Sequence, residues 1–598
     1  MRSRLPLLAL LLLAAGLDLW GLELNGYANE YYSAAVRSMS TSWHAFLYGS
    51  FDAAGVMTVD KPPLALWLQV ASVKVFGFHP LAMLIPQALM GVAAVGLTYD
   101  LVRRRFGAAG GLAAGLILAL TPITVAISRH NNPDALLVLC SVAALWALVQ
   151  ALEDARIRWL VLAGACVGLG FEAKMAAALL VVPGIAAAWL WVRPGGWRRA
   201  LGGLAAGGAA LLAAAGAWPL LVALTPSGER PWVSGTADDS VLSLILGYNG
   251  LGRLAGQAGG PQGTGGGPGG SVFGGDPGLF RLVGESLGGQ AGWLLGLALA
   301  GGLVVLAGCR VRRADPRTGW LIAVGGAFAV TAAAFSLASG ILHPYYVSLL
   351  APFTAALAGA GFAELRRAGR SARLLAAPAL TLGLLAQLAV LDALPGEFRT
   401  AAPWIAAAVA LAALAAAAGG VRIRRAALAA GLAALLIAPA TWSVQTLGHA
   451  TSGTFPAGGP ATASLGGGTF GGTSGLDGAV AYAAANGGGT VAVASQSTAA
   501  QAILAGETGV VALGGFSGRE SEVTVDWLAS AVRDGEIRYV LAQEDGGGGP
   551  GGMNDGRTGA ATVMAAAAKT CAEVGSDLYD CGGQADALAA LDSQSQST

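Results

Sequence analysis

Glu30, Arg37, His44, Asp52, Asp60 and Lys61 fall in one polar stretch, NEYYSAAVRSMSTSWHAFLYGSFDAAGVMTVDKPPLALWL, at residues 29–68 of an otherwise apolar chain. Acids and bases at this density, directly after an apolar run, stay hydrated at a membrane surface and can meet a lipid head group there. A carboxylate in a partly dry cleft can take a proton from a hydroxyl, and a lysine can hold a phosphate as a point charge. Lys61 emerges from Asp60-Lys61-Pro62-Pro63, where the prolines fix the backbone at the start of an apolar stretch; a topogenic, snorkelling lysine is the plainer alternative. Glu30 and Arg37 lie at helical spacing, which predicts an interfacial helix directing Glu30 towards a central cavity, against the alternative of a solvated cap.

Two more constellations carry polar chemistry. Arg129-His130-Asn131-Asn132-Pro133-Asp134 sits between two very apolar runs. Asn131 and Asn132 can hydrogen-bond sugar hydroxyls, and Asp134 can serve as a general base, although a helix dipole alone would also favour it at a helix start. In His343-Pro344-Tyr345-Tyr346, an aromatic belt at the membrane interface explains the tyrosines but not the histidine.

The elements that must position these residues are membrane helices. The 598 residues are 55% hydrophobic and only 12% charged, a balance no water-soluble chain of this size needs. Apolar runs recur from residue 5 to about 443 and read as about thirteen spans, the first an uncleaved signal anchor and the shortest, 159–172, open to a re-entrant reading. Arginine clusters at 103–105, 156 and 158, 193–199, 310–313, 366–367 and 422–425 each follow an even-numbered span, so they mark the cytoplasmic side and leave the polar motifs and the tail outside. The expected division is a membrane domain at 1–445 with outer loops at 23–80 and 225–289, a linker at 446–475 and an extracytoplasmic α/β domain at 476–598. In that tail GTVAVAS, GVVALGG and RYVLAQ alternate with helical runs, a βαβαβ pattern with a parallel sheet. Nothing in it looks catalytic. Cys571 and Cys581 are expected to pair if the tail lies outside the reducing cytoplasm, whereas Cys140, Cys166 and Cys309 are small apolar residues of the spans.

Several function classes drop away. A net charge of +1 gives no electrostatic case for nucleic acid. The glycine-rich segment 255–278 lacks a phosphate-cradle pattern and reads as a linker or flap, and no nucleotide cofactor is expected. A divalent cation is compatible with paired carboxylates, but no ligand spacing demands one. A transporter or lipid flippase, the main alternative to an enzyme, would need polar groups near the midplane, and the spans are nearly free of them. A non-enzymatic scaffold carrying the tail is the third reading.

Asn-Glu-Tyr-Tyr at 29–32, DKPPL at 60–64, NNPD at 131–134 and HPYY at 343–346, in this order, resemble the motifs of the polyprenyl-phosphate-sugar glycosyltransferases with the GT-C fold. That superfamily includes protein O-mannosyltransferases and aminoarabinose lipid A transferases, and the likeness is to an ArnT-like, mannosyltransferase-like bacterial branch with a C-terminal extracellular domain; GGF at 514–516 and IRYVLA at 537–542 resemble its tail. The resemblance implies transfer of a sugar from a polyprenyl-phosphate donor lipid to an envelope acceptor hydroxyl outside the cytoplasmic membrane, with inversion at the anomeric carbon. Asp134, Glu30 and Asp60 are then the candidate bases, the first two ahead. Lys61, Arg37 and Arg129 are candidates for the donor phosphate, and His130, Asn131, Asn132, His343, Tyr345 and Tyr346 for substrate contact. Asn29 departs from the pattern: the superfamily commonly has an aspartate there, proposed as the base, and an amide cannot accept that proton.

Overall fold

The computed structural model describes residues 5–255, 274–367, 369–394, 400–451, 453–463, 475–542 and 558–595. Most of segment 255–278, residues 464–474 of the expected linker and the glycine cluster at 545–552 lie outside them. The chain forms two compact units: Met1–Gly26, Leu84–Gly216 and Gly265–Gly466 make the first; Tyr27–Met83, Ala217–Thr264 and Gly467–Thr598 make the second.

Among the described residues the first unit is built of helices. They are helices because in hydrocarbon every backbone polar group must find its partner within its own segment, and leucine, alanine and valine fill them because apolar side chains transfer favourably into lipid. Across the described chain, eight helices are long and apolar enough to cross a bilayer, or ten if two helix pairs broken near Thr121 and Gly216 each count as one span. The expected thirteen follows only if Ile157–Val192, which passes through a 3-10 stretch at Met175–Val181, crosses twice and the shorter Leu295–Cys309 and Ala402–Ala418 also cross. The 67° bend between Ala108–Ala119 and Pro122–Ser128 has its cause in Pro122, which has no N–H to continue the helix. Helices meet along small residues: a Cβ on Gly164 would strike the backbone of Gly207, and one on Gly361 that of Gly301. Close backbone approach supplies the van der Waals contact that replaces a hydrophobic drive in lipid.

The basic clusters gather at matching helix ends. Arg104 and Arg105 pair with Glu153, and Arg199 donates to the carbonyl of Ala155. Arg317 and Arg367 share Glu364, while Arg424 and Arg425 donate to the carbonyls of Leu365 and Arg366. Trp320, close to Arg317, donates to the carbonyl of Leu101 and links the two groups. In the helix Asp134–Asp154, Asp134 therefore occupies the end away from the arginines, and in Pro344–Leu365 so do Tyr345 and Tyr346.

The second unit is built on a five-stranded sheet: β1 (Val491–Val493), β2 (Val510–Ala512), β3 (Tyr539–Leu541), β4 (Ala572–Gly575) and β5 (Leu578–Asp580), in the order β2-β1-β3-β5-β4. β1 is parallel to β2 and β3, as the βαβαβ pattern requires, and the β4–β5 hairpin adds antiparallel strands beyond β3. Ser495 and Thr524 cap the helices Gln496–Ala505 and Val525–Arg533 through side-chain oxygens. Cys571 and Cys581 form a disulfide with Cα atoms 4.7 Å apart.

Side chains alternate across β1. Val491 and Val493 share one core with Leu476, Ile503 and the helix Glu30–Met39, which buries Tyr31, Ala34, Ala35 and Met39 there. Ala492 faces a second core with Val56, Met57, Trp232, Leu528 and Val563. The tail and the polar stretch after the first span thus fold around one sheet.

Candidate active site

Glu30 opens the helix Glu30–Met39, and Asn29 is its N-cap, its Oδ1 accepting from the Tyr32 N–H at 3.4 Å. Asparagine and aspartate cap comparably, so the capping role survives the change that removes a base from this position. Glu30 and Arg37, seven residues apart on one face, both reach the helix Gln496–Ala505. Glu30 Oε2 accepts from Gln501 Nε2 at 3.3 Å, and Arg37 donates to the Leu504 carbonyl at 2.8 Å while its guanidinium lies over Phe78. The sequence prediction of a helix here is matched; its polar face meets the tail.

Asp60 and Lys61 form a buried pair in the same unit, Nζ to Oδ2 2.7 Å, each residue 7% exposed. The Tyr31 hydroxyl accepts from the Asp60 N–H at 3.0 Å and faces Asp60 Oδ1 at 3.5 Å, and Asn249 donates to the Asp60 carbonyl at 2.7 Å. Burial, reinforced by the Asp60 carboxylate, holds the Tyr31 hydroxyl well above its ordinary range, so it stays a protonated donor. The Lys61 ammonium stands 5.8 Å from the Tyr248 ring centre. Asp52, fully buried, accepts from the N–H groups of Val56 and Met57 at 2.9 and 3.1 Å, yet burial outweighs these bonds and pushes its carboxyl up to about 6. His44 is exposed and contacts the Glu229 carbonyl.

In the first unit, Arg129 donates to the carbonyls of Leu17, Trp20 and Gly21, the unsatisfied end of the first helix, and its own carbonyl accepts from Asn25. His130 contacts the Gly453 carbonyl at 3.0 Å, and burial lowers its imidazole to about 4, so it is neutral at physiological pH. Asn131 and Asn132 are fully buried beside it. Asp134, 1% exposed, takes both its oxygens to Lys174 Nζ, at 2.7 and 2.8 Å. The same ammonium lies 4.7 Å from the Tyr345 ring centre and 3.8 Å from that of Tyr346, and His343 stacks on Tyr345 and Phe455. HNNPD and HPYY are therefore joined through Lys174, with a buried ion pair whose charge also rests on two aromatic faces.

Lys174 was not among the sequence candidates, although a lone lysine closing an apolar run was a legible signal. Tyr31 lay inside the Asn-Glu-Tyr-Tyr motif without being assigned a role, and Gln496 carried no signal, since a glutamine in the tail reads as surface. Among the described residues no three His, Cys, Asp or Glu side chains come close enough to share a metal ion.

With this geometry in hand, comparison with known proteins gives a consistent result. Residues 60–222 match the model of the family described as dolichyl-phosphate-mannose-protein mannosyltransferase, and residues 479–564 match that of the YkcB-like C-terminal region. The chain is 31% identical to "Putative mannosyltransferase YkcB" of Bacillus subtilis (strain 168), covering 92% of this chain and 90% of that one. It is 30% identical to "Putative mannosyltransferase YycA" of the same organism, covering 91% and 92%. Among solved structures it is similar to ArnT from Cupriavidus metallidurans in the apo state, at 20% identity, 90% and 92% coverage and a TM-score of 0.49. The sequence relatives favour glycosyl transfer over transport, and at that identity across nearly the whole of both chains the protein belongs to the YkcB-like family of glycosyltransferases.

Proposed function

We propose that the protein transfers a sugar from a polyprenyl-phosphate donor to an acceptor hydroxyl at the outer face of the cytoplasmic membrane, with inversion at the anomeric carbon. The observation that carries this reading is Lys61, a nearly buried cation beside Asp60 at the start of the segment matching a family described by a dolichyl-phosphate sugar. In it, the ammonium meets the lipid phosphate and stabilises the leaving anion. Inversion brings the acceptor oxygen to the face of the anomeric carbon opposite that phosphate. Asp60, bonded to the phosphate's own cation, is then poorly placed to take the proton.

Glu30 is the better base. It is half-buried and its Oε2 partner is a neutral amide, whereas both oxygens of Asp134 are held by Lys174. We assign Asp134 and Lys174 to shaping the first unit, and Arg129 and Arg37, engaged with backbone carbonyls, to supporting roles. Asn131, Asn132, His343, Tyr345 and Tyr346 remain candidates for substrate contact. The outer orientation is supported by the arginine clusters at one set of helix ends, since such clusters stay cytoplasmic.

The test is the purified protein in vesicles with radiolabelled polyprenyl-phosphate mannose. Cleavage of the sugar–phosphate bond, with label passing to an acceptor or to water, is expected; label crossing the bilayer on intact lipid would establish transport instead.

A further inference from the structure

In parallel α/β sheets the strands' carboxyl ends are where ligands are met. In the second unit that edge is turned onto the Asp60–Lys61 segment. The segment after β1 runs Ala494-Ser495-Gln496 and the one after β2 runs Leu513-Gly514-Gly515-Phe516, held together by a hydrogen bond from the Gln496 N–H to the Gly515 carbonyl. Phe516 meets the Tyr31 ring edge-on at 5.1 Å, and Phe51 stacks on that ring at the same distance.

The Gln496 side chain is fully buried and spends its hydrogen bonds outside the tail. Its Nε2 donates to the Thr58 carbonyl at 2.9 Å, two residues before Asp60, and its Oε1 accepts from the Tyr31 hydroxyl at 3.3 Å and from Ser234 Oγ at 3.2 Å. The Thr58 carbonyl requires a donor, which fixes the amide's orientation and leaves Oε1 to accept. The Tyr31 hydroxyl has one proton and two acceptors before it, Gln496 Oε1 and Asp60 Oδ1, while it receives the Asp60 N–H. A continuous chain of polar contacts thus runs from Gln496 through Tyr31 to Asp60 and Lys61.

We propose that Gln496 is a positioning residue for sugar transfer, and that the carboxyl edge of the tail sheet is a working part of the site because it sets the Asp60–Lys61 turn through Tyr31 and Thr58. The assignment rests on reading Lys61 as the donor-phosphate cation. A purely structural tail would bond within itself or to the surface of its neighbours; Gln496 instead reaches the backbone two residues before the reactive pair and the tyrosine hydroxyl that meets Asp60. Titratable groups around the Tyr31 end of this network are Asp60, Lys61, Tyr248 and Glu520.

The full-length protein in lipid nanodiscs provides the test, with polyprenyl-phosphate mannose as donor and plain polyprenyl phosphate as a binding probe. Gln496→Met keeps length and loses every polar bond; it is expected to raise the donor KM and the Kd for polyprenyl phosphate about 10-fold or more, with Tyr31→Phe close behind. Because the two variants share the Tyr31–Gln496 bond while Gln496 also holds the Thr58 carbonyl, the double variant should fall clearly short of the product of the two single effects. Gln496→Glu supplies the internal control. Protonated, it reproduces the amide's donor and acceptor; ionised, it loses the donor to Thr58 and places an anion near Asp60. Its donor affinity should recover as pH falls from about 8 towards about 5.5, which a folding defect would not do. Wild-type donor affinity in Gln496→Met, multiplicative effects with Tyr31→Phe, or a flat pH response in Gln496→Glu would each overturn the proposal. Amide exchange at residues 57–61, faster in Gln496→Met than in wild type, separates this from the broader reading: absent wild-type transfer would defeat the glycosyltransferase proposal, while unchanged exchange would defeat the positioning role.

Discussion

Asp52 shows how the unit around Lys61 is tuned. Its carboxyl rises from an ordinary value of 3.8 to about 6 because burial disfavours the charge more than two N–H groups favour it. Between those values the folded state holds a proton that the unfolded chain has released, so stability is greatest below the window and falls as pH rises through it, by on the order of 3 kcal/mol. Asp52→Asn should flatten that dependence in thermal unfolding from pH 4 to 7; an unchanged slope would assign it to another group. At this scale the sequence was legible where charge density was abnormal. Asp60, Lys61 and Asp134 stood out because they sit in polar clusters bounded by long apolar runs. Their partners did not, since pairing Asp134 with Lys174 joins residues 40 positions apart in sequence, and only the packing of helices brings them together.

The helix Glu30–Met39 sets the corresponding limit for elements. Its spacing was readable in advance, and so were β1 to β3, where short apolar runs alternate with helical ones, whereas the cap at Asn29 came only with the structure. What the helix packs against was not, because periodicity defines a buried face without naming its partner. The answer is the tail, whose Leu476, Ile503 and Val493 share a core with Tyr31 and Ala35. Removal of residues after 475 should therefore abolish transfer and render residues 27–83 sensitive to protease. A truncated protein that still transfers sugar, or whose residues 27–83 resist protease, would show that the polar stretch holds its shape unaided.

For the molecule as a whole, composition gave the membrane class, while the number of crossings was harder to read. Hydropathy does not separate a span that turns back at Met175–Val181 from one that continues, nor a short buried helix such as Leu295–Cys309 from a crossing. Orientation has its own check: a reporter active only outside the cytoplasm, fused after Thr598, should be active, in keeping with the Cys571–Cys581 disulfide. The central claim is that Lys61 receives a lipid phosphate while Glu30 takes the acceptor proton, and it is tested most directly by measuring transfer from polyprenyl-phosphate mannose at saturating donor in Glu30→Gln beside wild type. The account predicts a fall in turnover of about 10²- to 10⁴-fold with donor binding retained; turnover close to wild type would contradict it.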